Sequence, residues 1–140
     1  MQLKDIAAKK PVYVKGGATD PSKGLDCSGY LYLAAKWAGI PGPRRTTSFN
    51  MSQGIDGWSS DVIPFFTMAQ DVDIAFWTWA KTPWKINSHT GTFLRGEPKE
   101  KQGDDGLSVA HAGSRGVAIV PFRGVFVNDL SLIRRLNIGD

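Results

Sequence analysis

The residue types that thiol-based hydrolysis requires occur in this chain in a minimal set, one cysteine, Cys27, and two histidines, His89 and His111. A cysteine that attacks an amide needs a base that removes the thiol proton and later protonates the departing amine. That base in turn needs a partner on its other ring nitrogen, which fixes its tautomer and orientation. One cysteine and two histidines can fill these three roles, with Cys27 as the nucleophile.

The sequence around Cys27 favours a reactive thiol. The almost wholly apolar segment 27–38 predicts a buried helix that stops at a glycine, and Asp26 stands where an N-cap would be. A cysteine in the first turn of a helix lies beside unpaired backbone N–H groups, which stabilise a thiolate. Ser28 and Gly29 are small, so a substrate backbone can approach the sulfur closely.

Short strands must position the two histidines. β-Branched and aromatic runs separated by turn residues predict strands at 73–79, 89–94, 107–111, 117–122 and 125–127. Segments 41–60 and 95–106 are predicted to be loops because glycine, proline and polar residues dominate them. A helix followed by strands predicts an α+β fold, with helices packed on one side of an antiparallel sheet built from about residues 72 to 135. The predicted core includes Trp37, Phe76, Ile119 and Val120.

Length and composition fit one globular domain, residues 1–140, with 41% hydrophobic and 21% charged residues. No stretch approaches the roughly 18 apolar residues of a membrane span, so no membrane partner is expected. The first ten residues contain several charges and no apolar core of a secretory signal peptide. We therefore expect a protein made in the cytoplasm that reaches its target by delivery, by lysis or as part of a virion. A delivery apparatus or an immunity protein would then be a partner.

The net charge of +4 and the isoelectric point near 9.3 suit an anionic partner. The basic residues do not alternate with aromatic residues as they do on a nucleic-acid stacking platform, so no nucleic acid is expected. Arg44 and Arg45 follow the predicted helix after a short Pro-Gly-Pro turn, near one end of a cleft. They are candidates to pair with a substrate carboxylate, and the alternative is a solvated surface pair.

Several segments between about residues 11 and 122 resemble, in consistent order, the NlpC/P60 cysteine peptidases. That family has a Tyr-x-x-Gly-Gly stretch, an Asp-Cys-Ser-Gly tetrapeptide that opens a helix, and strands of the types Gly-Asp-Leu-Val-Phe-Phe and His-Val-Gly-Ile-Tyr. The corresponding residues here are Tyr13 with Gly16-Gly17, Asp26-Cys27-Ser28-Gly29, Asp73-Ile74-Ala75-Phe76-Trp77 and His89-Thr90-Gly91-Thr92-Phe93. Val72 stands where the family has the glycine before the aspartate. Val109-Ala110-His111-Ala112 is similar to the strand that carries the third catalytic residue.

The resemblance implies a papain-like fold and hydrolysis of an amide bond in the stem peptides of bacterial peptidoglycan, without a cofactor. It implies that Cys27 is the nucleophile, His89 the general base and acid, and His111 the residue that orients His89. It also implies that Tyr13 lines the substrate cleft. Asp26 and Ser28 beside the nucleophile are further candidates for substrate binding, with a simple N-cap as the alternative for Asp26.

Two alternative functions use the same residues. Cys27, His89 and His111 could hold a zinc ion with an open fourth position, although they are far apart in sequence and no HExxH pairing is present. We therefore predict no metal site. A catalytically inactive relative that serves as a structural or binding component, for instance of a phage tail, is the other alternative.

Overall fold

The computed structural model describes residues 27–37, 40, 42–113 and 116–136. Tyr13, Asp26 and the side chain of Trp37, all singled out from the sequence, lie outside the described residues. Within the described part of the chain, no helix is long and apolar enough to cross a bilayer.

Among the described residues, two helices precede all six strands of the sheet. In chain order they are α1 (Cys27–Trp37), α2 (Ser48–Ser52), β1 (Ser60–Val62), β2 (Ile74–Trp77), β3 (His89–Leu94), β4 (Ser108–Gly113), β5 (Gly116–Pro121), α3 (Val125–Asn128) and β6 (Leu130–Leu136). Single turns of 3-10 helix occur at Phe66–Met68, Lys99–Lys101 and Asp104–Gly106.

The six strands form one antiparallel sheet in the order β1-β6-β2-β3-β4-β5. The strands β2, β3, β4 and β5 pair with their neighbours in sequence, whereas β6 returns to lie between β1 and β2. The predicted α+β fold with an antiparallel sheet is therefore confirmed. The sheet begins at Ser60, well before the predicted start near residue 72, and ends at Leu136, close to the predicted end.

Alternate residues of the central strands point into two separate cores. On one face Ile74 and Phe76 pack with Tyr30 and Leu31 of α1. On the other face Ala75 and Trp77 belong to a second cluster of buried aromatic and aliphatic residues. Its other members include Phe93, Leu107, Val109, Phe122 and Ile133. Phe66, Phe126 and Val127 from short helical segments cover this second face. Both faces are thus covered, although the sequence predicted helices on one side alone.

Three local predictions are wrong. Val125–Asn128 is a short helix and not a strand, because it follows Gly124 at φ +62° and turns Phe126 and Val127 onto the sheet. The predicted loop 41–60 contains α2, which Thr47 caps by accepting a hydrogen bond from the Asn50 N–H.

The third error concerns the core. Phe76 is buried as predicted, but Ile119 and Val120 are only half-buried because β5 is an edge strand.

Candidate active site

The antiparallel pairing of β3 and β4 brings the two histidines together. Gly91 of β3 lies opposite His111 of β4, and His89 lies two residues before Gly91, so both imidazoles project from the same face. The Nε2 atom of His89 lies 3.0 Å from the Nδ1 atom of His111. One of these nitrogens must donate the proton and the other must accept it, so the bond fixes the tautomer of both rings together.

Gly91 allows this close approach of the two strands. A Cβ atom at residue 91 would lie 2.6 Å from the carbonyl oxygen of Ala110 and 3.0 Å from the Cβ of His111. Both distances are shorter than ordinary van der Waals contact, so any side chain here would displace the backbone of β4. A glycine within a strand is a known signal for a close approach, and this one could have been recognised from the sequence.

Aromatic rings surround the histidine pair. The ring of Trp79 lies 5.1 Å from that of His89, Trp77 lies 5.6 Å from it, and Phe126 lies 5.1 Å from His111, all measured between centroids. Burial, together with a smaller effect of the neighbouring His111, lowers the pKa of His89 to about 4. Burial also lowers the pKa of His111. Both imidazoles are therefore neutral at neutral pH, and a neutral imidazole can accept a proton.

The thiol of Cys27 lies at the beginning of the histidine strand. Cys27 is the first residue of α1, and its Sγ donates a hydrogen bond to the carbonyl oxygen of Ser88 over 3.7 Å. Ser88 immediately precedes His89 in the chain. The body of α1 packs on the opposite face of the sheet from the two imidazoles, and the first residue of the helix reaches the chain directly before His89.

A groove of about 610 Å³ opens beside Cys27. Two chain segments line it, one leading into α2 and one leading into β3, and together with the beginning of α1 they contribute Cys27, Ser28, Arg45, Thr46, Thr47, Ser48, Phe49, Lys85, Ile86 and Ser88. Arg45 and Lys85 give this groove two cationic side chains. Phe49 and Ile86 are exposed large apolar residues and give it an apolar wall.

The two neighbouring arginines occupy different places. Arg45 lines the groove together with Cys27 and Ser28. Arg44 instead contacts Asp56, with its guanidinium 3.7 Å from the carboxylate and its backbone N–H donating to the Asp56 carbonyl over 2.9 Å. The Arg44 carbonyl also accepts a hydrogen bond from the Trp58 indole N–H over 2.9 Å. Arg44 thus holds the loop that precedes β1, and substrate binding by the pair stays a prediction that now concerns Arg45.

Sequence reasoning missed Lys85 and Asn87 as well as Gly91. Lys85 carried no signal, because an isolated lysine in a polar loop is ordinary. Asn87 carried a weak one, since asparagine adopts a left-handed backbone more readily than most residues do. Of the described residues, no three His, Cys, Asp or Glu lie close enough together to hold a metal ion.

No protein-family model matches the chain, and no curated protein matches its sequence. Among solved structures the chain is similar to a Staphylococcus aureus protein described as similar to a lipoprotein of the NLP/P60 family. The two share 19% sequence identity with a TM-score of 0.66, over 99% of this chain and 42% of the S. aureus chain. This chain therefore spans less than half of that protein's length. The likeness is one of fold: the chain has the α+β architecture of a protein assigned to the NLP/P60 family.

Proposed function

We propose that this chain is a cysteine peptidase or amidase of the NlpC/P60 type, which hydrolyses an amide bond in peptidoglycan stem peptides. The proposal rests mainly on two hydrogen bonds. The Cys27 thiol donates to the carbonyl of Ser88, and the next residue, His89, is hydrogen-bonded to His111. The fold likeness to an NLP/P60-family protein and the motif resemblance support the same family.

In the proposed first step, neutral His89 takes the thiol proton while the Cys27 sulfur attacks the carbonyl carbon of the amide. A tetrahedral intermediate forms, and the backbone N–H of Cys27 at the start of α1 donates to its oxyanion. The C–N bond then breaks, and His89 returns the proton to the leaving amine. The product of this half-reaction is a thioester between Cys27 and the acyl part of the stem peptide.

In the second half-reaction a water molecule attacks the thioester carbonyl, and His89 takes one of its protons. The C–S bond breaks, the carboxylic acid leaves, and the proton returns to the Cys27 sulfur. Throughout this cycle His111 accepts the Nε2–H of His89, which leaves the other nitrogen of His89 free for proton transfer. His111 thus acts through His89 and not on the substrate.

The side chains of the groove suit an anionic peptide. Arg45 and Lys85 can bind carboxylates of the stem peptide by charge-assisted hydrogen bonds. Phe49 and Ile86 offer apolar surface to the methyl and methylene groups between those carboxylates. The net charge of +4 also favours approach to an anionic cell wall.

The test is digestion of purified peptidoglycan of two kinds, with lysine or with diaminopimelate in the stem, followed by mass spectrometry of the released fragments. We expect fragments cut at one stem-peptide amide, abolished by His89→Ala and by iodoacetamide, and unaffected by a metal chelator. Unchanged peptidoglycan of both kinds would contradict the proposal and favour an inactive binding component. Loss of activity with the chelator would favour a metal centre.

A further inference from the structure

The side chain and backbone of Asn87 connect four separate parts of the chain. Its side-chain amide donates to the Ser52 hydroxyl over 3.0 Å, and its side-chain oxygen accepts from the Ser131 hydroxyl. Its backbone N–H donates to the Thr78 hydroxyl over 2.9 Å, and its carbonyl accepts from the Ser48 hydroxyl over 2.7 Å. A buried asparagine with this many partners holds α2, the end of β2 and the beginning of β6 against the chain before β3.

The backbone of Asn87 is also unusual. Its φ angle is +51°, in the left-handed region that most residues avoid and that asparagine tolerates. The chain therefore turns at Asn87 immediately before Ser88 and His89. The Asn87 side chain fixes this turn through its two hydrogen bonds, and the turn determines where the Ser88 carbonyl and the His89 ring lie.

We propose that Asn87 is a positioning residue, which holds Ser88 and His89 so that the Cys27 thiol and the imidazole pair keep their relative places. Asn87 itself does not line the groove, although its neighbours Ile86 and Ser88 do. It therefore acts through Ser88 and His89 and does not contact the substrate. Its catalytic consequence rests on the proposed function, but its effect on the histidines does not.

A purely structural asparagine would act differently. It would contribute to the free energy of unfolding and leave the environment of the imidazoles unchanged in the protein that remains folded. A positioning residue changes that environment in the folded state. The pKa values of the imidazoles therefore distinguish the two possibilities. The chain has only two histidines, so both can be followed.

The experiment is an NMR titration of the two imidazoles in the wild type and in Asn87→Gly. Glycine adopts the positive φ without strain and removes both side-chain hydrogen bonds. We expect the lower of the two pKa values, about 4 in the wild type, to rise by about one unit or more toward the ordinary 6.5 as His89 loses its buried place. His111→Asn assigns the signals.

Arg95→Ala is the matched control, because Arg95 bonds to Ala69 and Asp105 just beyond the opposite end of β3. It should lower stability and leave both imidazole titrations in place. Ser131→Ala, which removes one partner of Asn87, should shift the same titration less than Asn87→Gly does. It also keeps the test informative should Asn87→Gly not fold. Unchanged titrations in folded Asn87→Gly, or in Ser131→Ala where Asn87→Gly does not fold, would overturn the proposal.

A second measurement concerns catalysis. If the wild type cleaves peptidoglycan, Asn87→Gly should lower kcat by about 10- to 100-fold with KM nearly unchanged, because a displaced base costs rate and not substrate binding. An unchanged kcat would overturn a catalytic consequence of the positioning. If the wild type cleaves nothing, the proposed function fails, and the titration still decides whether Asn87 positions His89.

Discussion

His89 and His111 share a hydrogen bond of 3.0 Å, but they lie at unequal distances along the chain and sheet from the thiol. His89 directly follows Ser88, whose carbonyl accepts the Cys27 thiol, whereas His111 lies on the next strand, β4. Along the chain and across the sheet, His89 is therefore the histidine nearer to the Cys27 thiol. This order supports the base role that we propose for His89.

The two histidines should fail differently when they are removed. His89→Ala removes the base and should lower kcat/KM by several orders of magnitude, as loss of a member of a catalytic triad does. His111→Ala should lower it less, because water can replace part of an orienting contact. Initial rates on peptidoglycan measure both variants. Equal losses, or a larger loss in His111→Ala, would show that the roles are exchanged or that the residues do not act as a triad.

Folding stability should fall with acid because of His89. Its pKa is about 4 in the folded chain and near 6.5 in the unfolded chain, so between these values the unfolded state binds the proton more readily. The contribution of His89 to the free energy of unfolding is fully present above about pH 6.5 and decreases as the pH falls toward 4. The total decrease is at most about 3 kcal/mol.

Urea denaturation at pH 7.5 and 4.5 tests this effect. The wild type should lose about 2 kcal/mol more than His89→Gln does over this interval, since glutamine does not titrate. An equal loss in both proteins would place the responsible groups elsewhere.

The sequence predicted those elements that have strong local signals. The apolar segment after Asp26 predicted α1, and β-branched or aromatic runs predicted β2 to β5 to within a few residues. Strand β1 has only three residues and lies at an edge, where no alternating pattern can be recognised. The residues Val125 to Val127 have high strand propensity, but packing of Phe126 against the aromatic rings of Trp77 and Trp79 decides in favour of a helix.

The residues of the candidate site, like the elements of the fold, were predicted only in part. Residue type, the place of Cys27 in the first turn of a predicted helix and the family resemblance together indicated Cys27, His89 and His111. Lys85 and Asn87 could not be found this way, since their importance depends on a loop that folds back beside α2. The position of this loop depends on side-chain hydrogen bonds between residues that are distant in sequence. Such bonds leave no periodic pattern in the sequence.

Arg45 and Lys85 should contribute to substrate affinity, and Arg44 should not. An exposed charge pair with the substrate contributes about 1 kcal/mol, and its loss raises KM about fivefold with little change in kcat. Arg45→Ala and Lys85→Ala should each raise KM by about this factor. Added salt should produce the same rise in the wild type. Arg44→Ala is the matched control, because its charge faces Asp56. A wild-type KM in both Arg45→Ala and Lys85→Ala at low salt would remove these residues from the binding site.

Gly91→Ala should disturb the histidine pair directly. The added methyl group meets the Ala110 carbonyl and the Cβ of His111, so we expect a loss of about 1–3 kcal/mol in stability and a reduced kcat. Chemical denaturation and peptidoglycan hydrolysis measure the two effects. Gly96→Asn is the control, since nothing lies within 4 Å of a Cβ there and asparagine tolerates its positive φ. A Gly91→Ala protein with wild-type stability and rate would contradict the close approach of the strands.

Val72 should carry backbone strain. It is a β-branched residue at φ +62°, and it stands where the NlpC/P60 pattern has glycine. Val72→Gly and Val72→Ala both remove the isopropyl group, but only glycine relieves the left-handed conformation. The glycine variant should therefore unfold with a free energy about 1 kcal/mol higher than the alanine variant. Equal stability of the two variants, or a more stable alanine variant, would show that no strain is stored there.

The decisive measurement is whether amide hydrolysis depends on the single thiol of the chain, that of Cys27. New amino groups released from purified peptidoglycan can be counted over time for the wild type and for Cys27→Ala under the same conditions. We predict steady release by the wild type and none above the enzyme-free blank for Cys27→Ala, with both proteins showing the same folded spectrum. Release by Cys27→Ala at the wild-type rate would exclude Cys27 as the nucleophile, because the reaction would then proceed without its thiol.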